Sequence, residues 1–170
     1  MAVEVGALYR DHAPRVWRYV RARLASDADA EDVTSEVFTR AMGSLHRFDP
    51  AKGTEAAWIL GIARNTVADH WRRRRPEDPA ADPPEHGRDR IAAADWDDTP
   101  AEAAVRRDVA SSVLAHLGAL SEREREAIAL RFGAELSSPE IGEAMDISPT
   151  AARMLVHRGV SKLREVMDRG

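Results

Sequence analysis

Residues 137–164 read SSPEIGEAMDISPTAARMLVHRGVSKLR, and this stretch decides the fold class. Ser137 with Glu140 three residues on is a capping-box pattern, so a helix is predicted to start there. It is short. Met145 is followed by Asp146-Ile147-Ser148, and Ser148-Pro149 supplies a cap and a first-turn proline for a second, longer helix reaching Met167. Two helices across a three- or four-residue turn form a helix-turn-helix pattern. Ile141, Met145, Ile147, Ala152, Val156 and Leu163 supply its apolar side, which leaves Thr150, Arg153, Met154, His157 and Arg158 near the exposed surface of the second helix. Arg153 and Arg158 can donate to guanine or phosphate, whereas Thr150 and Met154 offer hydroxyl and apolar contacts. For an isolated helix pair, packing within a bundle is the slightly better explanation.

Working outward, the same signals recur. Ser121 and Glu124 form another capping box, for a helix running to Phe132 before Gly133, and Val105, Val109, Val113 and Leu117 predict a helix before it. Near the start, Leu8, Val16, Val20 and Leu24 predict an amphipathic helix ending near Ser26, with Pro14 delaying or bending its beginning. Ser26-Asp27-Ala28-Asp29 then opens a helix carrying Val33, Val37, Ala41 and Leu45. His46 to Thr54, with Pro50 and Gly53, breaks that pattern, and Thr54 can cap a third helix bearing Trp58, Ile59, Ile62, Val67 and Trp71. No alternating strand pattern intervenes, so an all-α fold is expected.

The stretch Pro76 to Pro100 holds five of the nine prolines and eight acidic residues, with only Ile91 and Trp96 as large apolar side chains. Such a segment cannot bury a core. It predicts an extended acidic tether at 76–104 joining two small helical domains, 1–75 and 105–170. The net charge of −4 divides accordingly: residues 1–75 carry 13 basic and 10 acidic side chains, 76–104 carry 2 and 9, and 105–170 carry 10 and 10. The acidity is therefore local, and the flanking parts remain free to meet phosphate. There is no cysteine, which excludes disulfides, thiolate zinc sites and a cysteine nucleophile. No basic segment with an apolar run opens the chain, and no stretch approaches the roughly 20 apolar residues of a membrane span. A cytoplasmic protein without membrane insertion is expected.

Arg72-Arg73-Arg74-Arg75 follows a helix bearing Arg64, Asn65, His70 and Trp71, a concentration of positive charge suited to backbone phosphates, although a solvated helix end explains a short Arg run too. Asp29, Glu31, Asp32 and Glu36 lie on or beside the exposed side of the second helix and could meet a basic partner. Ordinary helix N-terminal acidity accounts for the first three equally well. No catalytic set is present: the six histidines are dispersed and no Gly-rich phosphate loop precedes a helix. Neither an enzyme nor a cofactor is expected, and His46, His70 and His157 read as surface or DNA-proximal groups.

Asp29-Ala30-Glu31-Asp32-Val33 with Glu36, Val37, Phe38 and Arg40, then Arg47-Phe48-Asp49-Pro50, Ala57-Trp58-Ile59, Ile62-Ala63-Arg64-Asn65 and Asp69-His70-Trp71-Arg72-Arg73, resemble in order and spacing the first domain of extracytoplasmic-function RNA polymerase sigma factors. Leu120 to Glu126, Leu130-Arg131-Phe132, Leu136-Ser137, Glu140-Ile141, Ile147-Ser148, His157-Arg158 and Lys162-Leu163-Arg164 resemble the second. The resemblance implies a sigma region 2 bundle and a sigma region 4 helix-turn-helix. It implies that Asp29, Glu31, Asp32, Glu36 and Phe38 dock on the β′ clamp helices of core RNA polymerase, whose β flap is a further contact. The loop Phe48 to Thr54, including Lys52 and backed by Arg64 and Asn65, then captures an unstacked base of the minus-ten element, with His70 and Arg72 to Arg75 on DNA. Melting on this scheme needs no ATP hydrolysis. Thr150, Arg153, Met154, His157 and Arg158 read the minus-thirty-five element, and the tether threads the RNA exit path. Promoter DNA and core polymerase are the implied partners, and an anti-sigma factor is admitted as another.

The sequence departs from the family pattern at Asp146, where glycine is usual in the turn, and at Ala151, Met154 and Leu155, which replace positions often polar or basic. Gly159 inside a helix costs roughly 1 kcal/mol relative to Ala unless close packing requires it. On the residues alone, a helix-turn-helix regulator that never binds polymerase and a helical interaction protein remain the alternatives.

Overall fold

The computed structural model describes residues 4–24, 26–74 and 116–169. All regular structure among them is helical. The expected tether, Arg75 and the helix predicted from Val105 lie outside the described residues, apart from Leu117, which is buried in a 3₁₀ turn, Leu117–Ala119.

α1 (Val5–Arg23) runs through Pro14 rather than starting after it, so the proline neither delays nor breaks the helix. The missing N–H costs one ladder bond, and Arg18 Nε covers a carbonyl in that turn by donating to Pro14 O at 3.2 Å. Leu8, Val16, Val20 and Leu24 are all buried, as their spacing predicts. α2 (Asp27–Ser44) starts at Ser26, whose hydroxyl accepts from Asp29 N at 3.1 Å. After a 3₁₀ turn, Leu45–Arg47, α3 (Glu55–Arg74) starts at Thr54, whose hydroxyl accepts from Ala57 N at 3.1 Å. Tyr9 meets Phe38, and Arg74 meets Asp29, so α1 and α3 both run antiparallel to α2.

The second group comprises α4 (Glu122–Ile128), α5 (Ser138–Met145) and α6 (Pro149–Arg169). Both capping boxes form: Ser121 with Glu124, and Ser137 with Glu140. The helix expected to reach Phe132 stops at Ile128 and widens into a π turn, Ala129–Gly133, closed by Ala134 N donating to Ala129 O. This turns Leu130 fully inward and leaves Phe132 59% exposed, while Gly133 lies against the α1 backbone at Arg18.

The two groups share one core. Val16, Tyr19, Ile59, Leu60 and Ala63 pack in the same apolar cluster as Leu130, Leu136, Ile141, Met145 and Ala152. A small satellite of Leu117, Leu120, Ile128 and Leu163 lies between α4 and α6. Each fully buried Leu or Ile contributes about 1.5–3 kcal/mol, so contact between the groups is a substantial part of the stability of this arrangement.

Candidate nucleic-acid interface

The loop after α2 is shaped by local bonds. Phe48 N donates to Leu45 O, the Asp49 carboxylate accepts from Ala51 N at 3.0 Å, and Lys52 N donates to Asp49 O at 3.0 Å. Phe48 leans on Trp58 of α3, ring centroids 5.2 Å apart, and Lys52 projects into solvent. Asn65 is exposed on α3. Arg64 is half-buried, and its Nε donates to Glu126 of α4 at 2.5 Å. The sequence reading placed Arg64 behind the loop but missed this acceptor. It also missed the acceptors of Thr54, whose hydroxyl donates to Glu140 at 3.0 Å and whose N–H donates to Glu143 at 3.3 Å.

Buried Tyr19 also donates to Glu126, at 3.4 Å. Burial, then the neighbouring Glu126 charge, raises the phenol above its ordinary range, so it is a neutral donor. Arg23, 4% exposed, bonds to Glu122 and lies 4.7 Å from the Trp71 ring centroid.

The acidic side of α2 and the Arg run, assigned above to different partners, face each other. Arg74 bonds to Asp29 at 2.8 Å and Arg73 to Glu36 at 3.1 Å, while Glu36 also accepts from Arg40 at 2.5 Å. Asp69 accepts from Arg40 at 2.8 Å and from Arg72 at 2.5 Å, and the Arg40 bond, against some desolvation, holds its carboxyl below the usual range. Antiparallel packing sets the α2 N-terminus beside the α3 C-terminus, so the two sets of charge form one ladder. Exposed links of this kind contribute up to about 1 kcal/mol each. Glu31 and Asp32 are exposed, His70 lies 4.0 Å from Asp29, and Arg75 is outside the described residues. Phe38 is 7% exposed and meets Tyr9 in a tilted ring contact at 4.7 Å, so Tyr9, 55% exposed, is the outer member of that aromatic pair.

On α6, Thr150, Arg153, Met154, His157 and Arg158 are all exposed along one side, and Ala152, Gly159 and Leu163 are buried on the other. Ser148 caps the helix by accepting from Ala151 N at 3.1 Å. Two backbone features hold the turn. Asp146 is left-handed, at φ 55° and ψ 50°, a conformation Asp tolerates better than most residues. A Cβ on Gly142 would stand 2.7 Å from Ile147 O, so only glycine allows the two helices this approach. Gly159 has a packing reason as well, since a Cβ there would meet Ile128 Cγ1 at 2.8 Å. Lys162 ties α6 to α4 through Glu124 at 2.8 Å; that bond first, then those from Ser121, lowers the Glu124 pKa against desolvation.

The sequence family described as Sigma-70 region 2 matches residues 8–77, and that described as Sigma-70, region 4 matches 116–165. The chain is 34% identical over 161 residues to RNA polymerase sigma factor CarQ of Myxococcus xanthus, covering 94% of this chain and 87% of that one. It is 29% identical over 164 residues to ECF RNA polymerase sigma factor BldN of Streptomyces coelicolor, covering 95% of this chain but only 60% of that longer protein. The fold is similar to that of the sigma factor RpoE of Bartonella quintana, solved in complex with the anti-sigma factor NepR, with a TM-score of 0.69 at 18% identity over 94% of each chain.

Proposed function

The chain belongs to the extracytoplasmic-function family of RNA polymerase sigma factors, and from that premise we propose that it joins core RNA polymerase and directs transcription from specific promoters. The observation that carries this reading is the exposed row Thr150, Arg153, Met154, His157 and Arg158 on the second helix of a tightly held helix-turn-helix. A row of that length on a rigid helix suits the edges of several successive base pairs in a major groove. In the first unit, Phe48, Lys52, Arg64 and Asn65 capture a base of the minus-ten element once it leaves the stack, with His70 and Arg72 to Arg75 on the backbone. The binding free energy of the extruded base helps offset its unstacking, so melting proceeds without ATP hydrolysis. Glu31 and Asp32, together with the Tyr9–Phe38 pair, form the surface for the β′ clamp helices, and Asp29 and Glu36 keep their neighbouring arginines in place.

We take the working units to be residues 1–75 and 105–170, joined by 76–104. An anti-sigma factor is a further proposed partner, on family membership alone. Mixing the purified chain with core polymerase tests the reading. Stable co-elution and transcripts starting at discrete promoters, with no other sigma factor present, are the expected result. Absence of binding to core would overturn it.

A further inference from the structure

Resting on the reading of α6 as the duplex-reading helix, we infer that Met154 determines promoter specificity by packing on the methyl group of a thymine, so that the DNA element of this chain carries a T·A pair opposite it. Met154 is a large apolar side chain left 48% exposed. It sits at the centre of the row. Thr150 and Arg158 stand one turn to either side, Arg153 beside it and His157 three residues on, all of them exposed. From Thr150 to Arg158 the row spans about 12 Å of helix, or roughly three base pairs, so its central side chain meets a base edge when the helix lies in a major groove. A lone exposed methionine is ordinary on a protein surface, but these neighbours are not. Residues 149–164 hold four Lys or Arg and no Asp or Glu, in a chain whose net charge is −4. A protein partner that docked an apolar surface on Met154 would have to cover Arg153 and Arg158 as well. DNA supplies phosphates for the cations and a base edge for the centre.

The chemistry of the thioether selects the base. Guanine presents two acceptors in the major groove, cytosine an amino group, and adenine one of each. Covering any of these with the end of a methionine leaves a polar group desolvated and unpaired. Thymine alone offers an apolar group there, its 5-methyl. The helix that carries Met154 is fixed in place. Ala152 and Leu163 bury its other side, and Gly159 lies so close to Ile128 that a Cβ there would stand 2.8 Å from Cγ1. Lys162 bonds to Glu124 at 2.8 Å, and Ser148 caps the first turn. A side chain on a fixed helix meets a fixed base pair, and the unbranched methionine can follow the contour of the methyl group. Ala151 and Leu155, the apolar residues nearest to it on the helix, are less exposed and leave Met154 as the reader.

The probe is a duplex library with a randomised block of about ten base pairs, selected with the full-length chain on core polymerase and with the sequences held by core alone subtracted. Each thymine shared by the selected duplexes is then replaced in turn by deoxyuridine, which removes the methyl group and nothing else. At one position wild-type affinity is expected to fall about fourfold, the effect of one buried methyl group. Met154→Ala should bind the thymine and deoxyuridine duplexes equally at that position, and Met154→Leu should restore the discrimination. Thr150→Ser, which deletes the methyl group of another residue in the row, should keep it. Met154 is exposed, so an unchanged melting temperature is expected for each of its variants. The inference is overturned if the selected duplexes share no thymine, if wild type binds every deoxyuridine duplex as tightly as its parent, or if Met154→Ala still discriminates. Core binding is read separately. A chain that does not bind core condemns the proposed function, and the selection repeated with the chain alone still decides the thymine.

Discussion

At the residue scale, identical residue types do different work according to what stands opposite them. Arg64 and Arg153 are both basic residues on helices. Arg64 is half-buried on a carboxylate, whereas Arg153 is exposed on the row of α6 that faces outward. Only the second is ready for duplex DNA without rearrangement. Arg153→Ala and Arg158→Ala are therefore expected to weaken duplex promoter binding by about 1–3 kcal/mol for whichever residue makes a bidentate base contact. For a phosphate contact the loss is smaller, with a shallower salt slope. Anisotropy titrations across a range of salt concentrations distinguish the two, and unchanged affinity and slope in both variants would remove α6 from the interface.

At the element scale, α4 and α5 are short helices held by their caps and by carboxylate ties to neighbouring elements. Glu124 bonds to Lys162 of α6 and to its own cap, and Glu140 bonds to Ser137 and Thr54. Both carboxyls are lowered from the usual range: Glu124 chiefly by Lys162, and Glu140 by its Ser137 and Thr54 bonds, which outweigh desolvation. A carboxyl whose folded pKa is depressed adds stability that is full above its unfolded value, about 4.3, and is lost as pH falls through the folded value. The urea midpoint is thus expected to fall as pH drops from about 5 towards 3. Lys162→Met should flatten part of that dependence, because Glu124 loses its main stabilising partner. Parallel midpoint curves for wild type and variant would show that the α4–α6 tie does not contribute.

At the scale of the whole molecule, the outward carboxylates are separable from the structural ones. Glu31→Arg with Asp32→Arg reverses exposed charge that the fold does not use, so the melting temperature should hold while core binding in a pull-down falls. Retained core binding would move the docking surface elsewhere on the chain. Glu36 is unsuited to this test, since reversing it would set like charges against Arg40 and Arg73.

The sequence by itself determined the helices and their starts, because caps and apolar periodicity act within a few residues. Ser26, Thr54, Ser121, Ser137 and Ser148 each bond to the backbone N–H three positions on. The exposed row of α6 was legible for the same reason. Two local features escaped: the path of α1 through Pro14 and the π turn after Ile128, both settled by how neighbouring helices pack. The tertiary structure alone decided which charges meet. Arg74 finds Asp29 across 45 positions, Arg64 finds Glu126 across 62, and Arg23 finds Glu122 across 99. No periodicity encodes such pairs, because they exist only once a shared apolar core has brought α3 against α2 and both α1 and α3 against α4.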